Sequence, residues 1–437
     1  MRKKLLSIVL AVSLISTALC GCGKSSDTNS RGMDTSSNKK QHLTVWAWDK
    51  TFNVYSMKQA EQIYQKEHPD FELYIITTSW EDIKAQLNTI MESGDYTQLP
   101  DIILIQDFAF RKYTLGCPEM FTELTDSKIN FNEFAEGKLG NTMVGDKHYG
   151  IPFDNGAEVA VYRTDILSQC GYSLEDLTDI TWERFIEIGK DIYAKTKLPL
   201  VTVQEESTDI LKQILQSAGK TVWDENGATN FTNNPELKAA IELYKEMYDC
   251  GVLQTAETWD KYLETFGSGN ACGVLNGCWI LGYIQSNEEQ SGLWGVTNMP
   301  RLSQFPNAVN YSNQGGSSWA ISSTCSNPEL AIDFMASTFA GSKELYDILL
   351  PNAGALSTWL PASDSSVYEE PQAFYGNKAI YSQITEFASK TPSVELGVYY
   401  VETNDELGTA LVNICNGADI DTELQNAEAR VKEIVGQ

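Results

Sequence analysis

Between Pro100-Asp101 and Gln106 stand four aliphatic residues in a row, Ile102-Ile103-Leu104-Ile105. A strand with one wet face alternates apolar and polar positions. A run with no polar position has to be covered on both faces, which is the condition of a parallel strand inside a layered α/β structure. The preceding segments supply the rest of such a unit. Leu43-Thr44-Val45-Trp46-Ala47-Trp48 is β-branched and aromatic and reads as a strand. Val54, Met57 and Tyr64 then share one helical face until Pro69. Phe71 to Thr77 is a second strand, and Ile83, Leu87 and Ile90 mark a second helix closed by Gly94. The order β-α-β-α-β predicts a parallel sheet with right-handed crossovers. Ligands of open α/β sheets bind beyond the carboxyl ends of the strands. Here those ends carry Trp48-Asp49, Thr78-Ser79-Trp80 and Gln106-Asp107, each an aromatic plate, a hydrogen-bonding group, or both.

The N-terminus sets the compartment. Arg2, Lys3 and Lys4 precede an apolar stretch from Leu5 to Leu19, the layout of a secretion signal and too short to span a bilayer. It ends in Leu19-Cys20-Gly21-Cys22. Small Gly21 before Cys22 matches the pattern of a bacterial lipoprotein signal, whereas bulky Leu19 before Cys20 does not. Residues 1–21 are therefore expected to be a signal peptide. Residues 22–41 are polar and Ser/Asn/Lys-rich, with too little apolar surface to offset ordering, and are expected to form a flexible tether. The roughly 400 residues that remain exceed one compact core, so two lobes are expected. A formal net charge of -27 argues against nucleic acid and anionic lipid surfaces as partners. Seven cysteines follow Cys22, an odd number without metal-ligand spacing. Buried free thiols are expected, with Cys272 and Cys278 the one candidate bridge.

Further strands are expected at Val159–Arg163, Gly273–Leu275, Trp294–Met299 and Trp319–Ser322, with helices at 182–196, 209–219, 235–249, 328–339, 405–416 and 420–435. In this order the segments LTVWAWD (43–49), LPDIILIQD (99–107), YGIPFDNGAEVAVYRTDIL (149–167), TWERFIEIGKDI (181–192) and GGSSWAISSTCSNPELAIDFM (315–335) resemble the extracellular solute-binding proteins of carbohydrate ABC importers, the group that includes maltose-binding protein. The resemblance covers essentially the whole mature chain. It implies an α/β, type II periplasmic-binding-protein-like fold of two lobes. Each lobe would be a mostly parallel sheet flanked by helices, with the ligand cleft between them. It implies one lobe from 42–153 and 318–362 and a second from 154–317 and 363–437, with GIPF and GGSS as hinge segments. It also implies diacylglycerol on Cys22, anchoring on the outer face of the cytoplasmic membrane, permease subunits as partners, and a monomer that needs no cofactor.

A sugar ring offers an apolar C–H face that stacks on Trp or Tyr, and hydroxyls that both donate and accept. Trp48, Trp80, Trp223, Trp259, Trp279 and Trp359 lie at strand ends or in loops and are candidate plates. Trp46, Trp182, Trp294 and Trp319 are expected in the core. Asp49, Gln106, Asp107, Asp154 and Asn155 are candidate polar contacts, although such residues also cap helices and form turns. Gly315 and Gly316 either expose amides or permit the crossover. Platform number favours an oligosaccharide. The competing readings are a secreted carbohydrate-active enzyme, which needs a carboxylate pair around the sugar, and a polysaccharide-binding surface module. No G-x-S-x-G, P-loop or H-E-x-x-H is present, and His42, His68 and His148 have no metal-ligand spacing.

Overall fold

The structure, a computed structural model, describes residues 41–224, 227–394 and 396–436. The signal segment, Cys22 and the tether up to residue 40 lie outside the described residues. Gln41, expected in the tether, already pairs with Phe71.

The apolar run sits where its composition requires. Strand Ile102–Gln106 lies in the middle of a five-stranded sheet, between Gln41–Ala47 and Ser317–Ile321, with Phe71–Thr77 and Ile151–Pro152 at the edges. The first three strands are parallel, joined by helices Asn53–Tyr64 and Trp80–Ser93. Ser79 caps the second helix by accepting from Asp82 N, and Gly94 ends it at φ 69°. Both faces of the sheet are covered. Leu43, Val45, Leu104 and Trp319 pack on one side with Phe153 and Phe334, and Trp46, Ile103 and Ile105 pack on the other with Phe110 and Tyr113.

The second lobe is built around strand Glu158–Arg163, again buried on both faces. Ala160 and Tyr162 face a core with Trp182, Phe185 and Leu211, while Val159 and Val161 face one with Phe266, Trp294 and Tyr381. Helices Tyr400–Cys415 and Ile420–Val435 return to the first of these cores through Leu411, Ile414, Ala427 and Val431. All four tryptophans expected in the core are buried.

In one respect the second lobe departs from the expected mostly parallel sheet. Strands Gly273–Gly277 and Trp294–Thr297 both run antiparallel to Glu158–Arg163, and Val201–Gln204 pairs in parallel with Leu253–Ala256. The cause is topological. Strand Glu158–Arg163 enters its lobe from the other one and so runs against its neighbours. Ser317–Ile321 does the same in the first sheet, antiparallel to Ile102–Gln106. Cys272 and Cys278 stand at opposite ends of strand Gly273–Gly277, so the candidate bridge does not form, and all seven described cysteines are free.

Candidate functional site

Three chain segments meet at Asp154-Asn155. Leu356-Ser357 pairs with them, and Gln314 N donates to the Gly156 carbonyl at 2.7 Å. Asp154 Oδ1 accepts from Ser317 N at 2.8 Å and Ser317 Oγ at 2.7 Å. Burial pushes the Asp154 carboxyl up to about 6, against the pull of Lys138 and Ser317. Beside it, Asp107 accepts from Ser318 Oγ at 2.7 Å and is paired with Lys138. Gly316 has φ 99°, and a Cβ there would meet Lys138 Nζ, Asp107 Oδ2 and the Asp154 carbonyl. Only glycine lets this backbone pass so close.

A cavity of about 280 Å³ opens on this junction. Its lining includes Asp107 and Lys138, Asn155 and Gly315, and the side chains of Phe108, Lys212, Trp223 and Tyr400. The aromatic rings are continuous. Trp48 meets Trp80 edge-on at 5.5 Å, and Trp80 meets Phe108 edge-on at 6.1 Å. Phe108 stacks on Tyr400 at 4.6 Å, and Tyr400 lies 5.6 Å from Trp223. Trp223 is held from behind, where a Cβ on Gly397 would come within 2.5 Å of its ring. The Lys212 ammonium lies 5.0 Å from the Tyr400 ring and 5.7 Å from that of Phe108, and pairs with Asp209 at 2.8 Å. Burial alone would lower the Lys212 pKa, but the Asp209 carboxylate outweighs it and holds it above the ordinary lysine range.

Four of the residues expected from sequence line the cavity: Asp107, Asn155, Trp223 and Gly315. Trp48 and Trp80 reach it through Phe108. Trp279 donates its indole N–H to the Gln314 carbonyl at 3.0 Å and sits under Gly315. Trp259 stands 5.9 Å behind Trp279. Gln106 pairs with Ser317 at the strand end. The remaining placements are structural. Asp49 accepts from Thr51 N, Thr51 Oγ1 and Phe52 N, an Asx turn leading into helix Asn53–Tyr64. Asp154 and Gly316 build the junction. Trp359 is 6% exposed in the first core and bonds Glu133 at 3.0 Å, away from the cavity. Phe108, Lys138, Lys212 and Tyr400 escape sequence reasoning. Only Asp209 and Lys212, spaced i, i+3 on one helix, carry a local signal.

This arrangement can hold a ring against an aromatic wall and offer it amides, hydroxyls and ammonium groups from two lobes. Residues 59–372 match the family described as bacterial extracellular solute-binding protein. The chain belongs to that family. It is also 33% identical over 386 residues to the lactose-binding protein of Rhizobium radiobacter, a match covering 88% of this chain and 91% of the relative. The arabinooligosaccharide-binding protein of Halalkalibacterium halodurans is 21% identical, with 83% of this chain and 82% of that one covered. Among solved structures, the ABC transporter associated binding protein of B. animalis subsp. lactis, in complex with beta-1,6-galactobiose, superposes with a TM-score of 0.76 at 19% identity, covering 90% of this chain and 97% of that one. The chain therefore has the two-lobed type II solute-binding fold, with its cavity where the lobes meet.

Proposed function

We propose that this extracellular solute-binding protein is the substrate-binding component of an ABC importer. It captures a carbohydrate, in particular an oligosaccharide, between its lobes and presents the closed form to a membrane permease. The observation that carries the reading is the aromatic wall Phe108–Tyr400–Trp223 set against amide and ammonium groups in one cavity. It fits a ligand with apolar ring faces and polar edges. The sugar-binding relatives support the same class. We assign ligand contact to Asp107, Asn155, Trp223 and Gly315, joined by Phe108, Lys212 and Tyr400. Trp48 and Trp80 would extend the wall for longer chains.

The protein binds without turning its ligand over. Asp107, the carboxylate on the wall, is engaged by Lys138 and Ser318 and so is a poor general acid or base. Core membership supports lobe boundaries near 153, 317 and 362, with helix Lys343–Ala353 touching both lobes through Leu349 and Leu350. The Gly21-Cys22 motif supports a lipid anchor on the outer face of the cytoplasmic membrane.

Calorimetry against glucose-, galactose- and arabinose-based di- and trisaccharides tests the assignment. At least one binds, and Trp223→Ala and Tyr400→Ala each weaken it about tenfold or more. Binding of peptides or amino acids with no response to any sugar would overturn it.

A further inference from the structure

The charges on the cavity lining are largely settled within the protein. Lys138 pairs with Asp107 and Lys212 with Asp209, while Lys220 stands exposed to water. What remains open to a ligand is carboxamide. Asn141 and Asn155 make no side-chain hydrogen bond among the described residues, and Asn404 uses only its Oδ1, which accepts from Thr208 Oγ1. All three line the cavity and are half-buried, and none of their unpaired amide atoms is closed off from solvent. Their backbones are held in place. Asn141 N donates to the Lys138 carbonyl at 3.2 Å, beside fully buried Thr142, and Asn155 pairs with Leu356. Asn404 stands on helix Tyr400–Cys415. The amides also come from different lobes. Asn141 follows helix Glu136–Leu139, whose Leu139 packs on the first core, and the helix of Asn404 carries Leu407 into a second-lobe core. A carboxylate only accepts and an ammonium only donates, whereas a carboxamide does both, as a sugar hydroxyl does.

We propose that Asn141 and Asn404 are specificity-determining residues, which with Asn155 read sugar hydroxyls from both lobes and select an uncharged saccharide. An acidic sugar would give up hydration without gaining a counter-charge, in a chain whose net charge of -27 repels anions. A sugar meets Asn141 and Asn404 at once only while the lobes are together, so these bonds are gained on closing and favour it. The inference rests on the carbohydrate reading above and narrows it to neutral saccharides.

The test is calorimetry on the full chain with lactose, galactobiose, arabinobiose and digalacturonate, at low and moderate salt. At least one neutral disaccharide binds, about tenfold or more tighter than digalacturonate, and its affinity does not change with salt. Asn141→Ala weakens it about three- to tenfold, and so does Asn404→Asp, which keeps an oxygen for Thr208 and removes the donor. Monodeoxy derivatives of that disaccharide then locate the bond. One hydroxyl whose removal weakens binding to the parent protein makes no difference in Asn141→Ala. A general loosening of the fold would weaken every derivative alike. The Asn141 side chain holds no other group, so the variant folds, and circular dichroism verifies it. Unchanged affinity in either variant, or deoxy effects that simply add to the Asn141→Ala loss, overturns the role of these residues. Digalacturonate binding as tightly as the neutral sugars, or tighter, overturns the uncharged class. Each of these leaves the carbohydrate reading standing. Failure of all four sugars to bind overturns both.

Discussion

Glu158 carries a carboxyl into the second lobe with nothing to receive it. The residue is 1% exposed, and neither oxygen has a hydrogen-bond partner. Burial, then the nearby Asp209 carboxylate, holds its pKa well above the ordinary 4.5. Tyr162, Tyr262 and Cys278 also face it electrostatically, and all are acids. The sign follows from linkage. The folded state holds this proton more tightly than the unfolded chain, so the contribution to stability is intact below about pH 4.5 and is lost progressively as pH rises. Glu158→Gln removes the titration, so its urea midpoint relative to the parent should climb steadily from pH 5 to pH 8. A constant offset between the two would refute the unpaired carboxyl. Asp154 is the milder case, raised from 3.8 to about 6. Its penalty develops between those values and amounts to about 3 kcal/mol at pH 7. Asp154→Asn keeps an oxygen for Ser317, so it should stabilise the protein above pH 6 and make little difference at pH 4. Loss of stability at every pH would instead mean that the charge itself holds the junction.

At the level of elements, two glycines separate conformational from steric cost. Gly94 ends its helix at φ 69° with open space where a Cβ would stand, whereas Gly316 at φ 99° would drive one into Asp107, Asp154 and Lys138. Gly94→Ala should cost about 1 kcal/mol from the backbone alone. Gly316→Ala should cost at least twice that and weaken sugar binding, because it dislodges the Asp107–Lys138 pair; equal losses by urea titration would remove the steric argument. The same elements mark what the sequence could reveal. The first sheet is legible because Ile102–Ile105 admit only a doubly covered strand. Helices Trp182–Thr196 and Pro235–Asp249 announce themselves by caps at Thr181 and Asn234 and a steady apolar face. The pair Val201–Gln204 and Leu253–Ala256 is not visible in the sequence, since four residues are too few to establish a period. Tryptophans can be counted but not placed, which is why Trp223 and Trp359 look alike in the sequence and stand in a cavity wall and a core. Phe108, Lys212 and Tyr400 come from three distant stretches, and only the fold brings them together.

For the molecule as a whole, the lobes touch at the rim as well as at the junction. Phe108 stacks on Tyr400, Lys112 bonds Glu402 at 2.6 Å, and Val401 packs into the core that holds Ile103 and Phe110. The ion pair is largely shielded, its side chains 16% and 20% exposed, so removing one partner leaves the other charge uncompensated while the lobes are together. None of these contacts requires a sugar. Together they favour the closed arrangement before any ligand adds its own bonds, and a ligand shifts the balance only by what it gains on closing. Weakening the clasp should therefore raise the cost of closure without touching the binding wall. Lys112→Ala, which lies outside the cavity lining, should increase the radius of gyration of the ligand-free protein in solution scattering, and saturating sugar should restore the compact form. Affinity should fall about five- to tenfold, equivalent to about 1–1.4 kcal/mol in the closure equilibrium, with the thermal midpoint nearly unmoved. If affinity fell while the radius stayed the same, Lys112 would be acting on the ligand and not on the lobes. If neither moved, closure would be governed at the Asp154–Ser317 junction, and the rim contacts would merely accompany it.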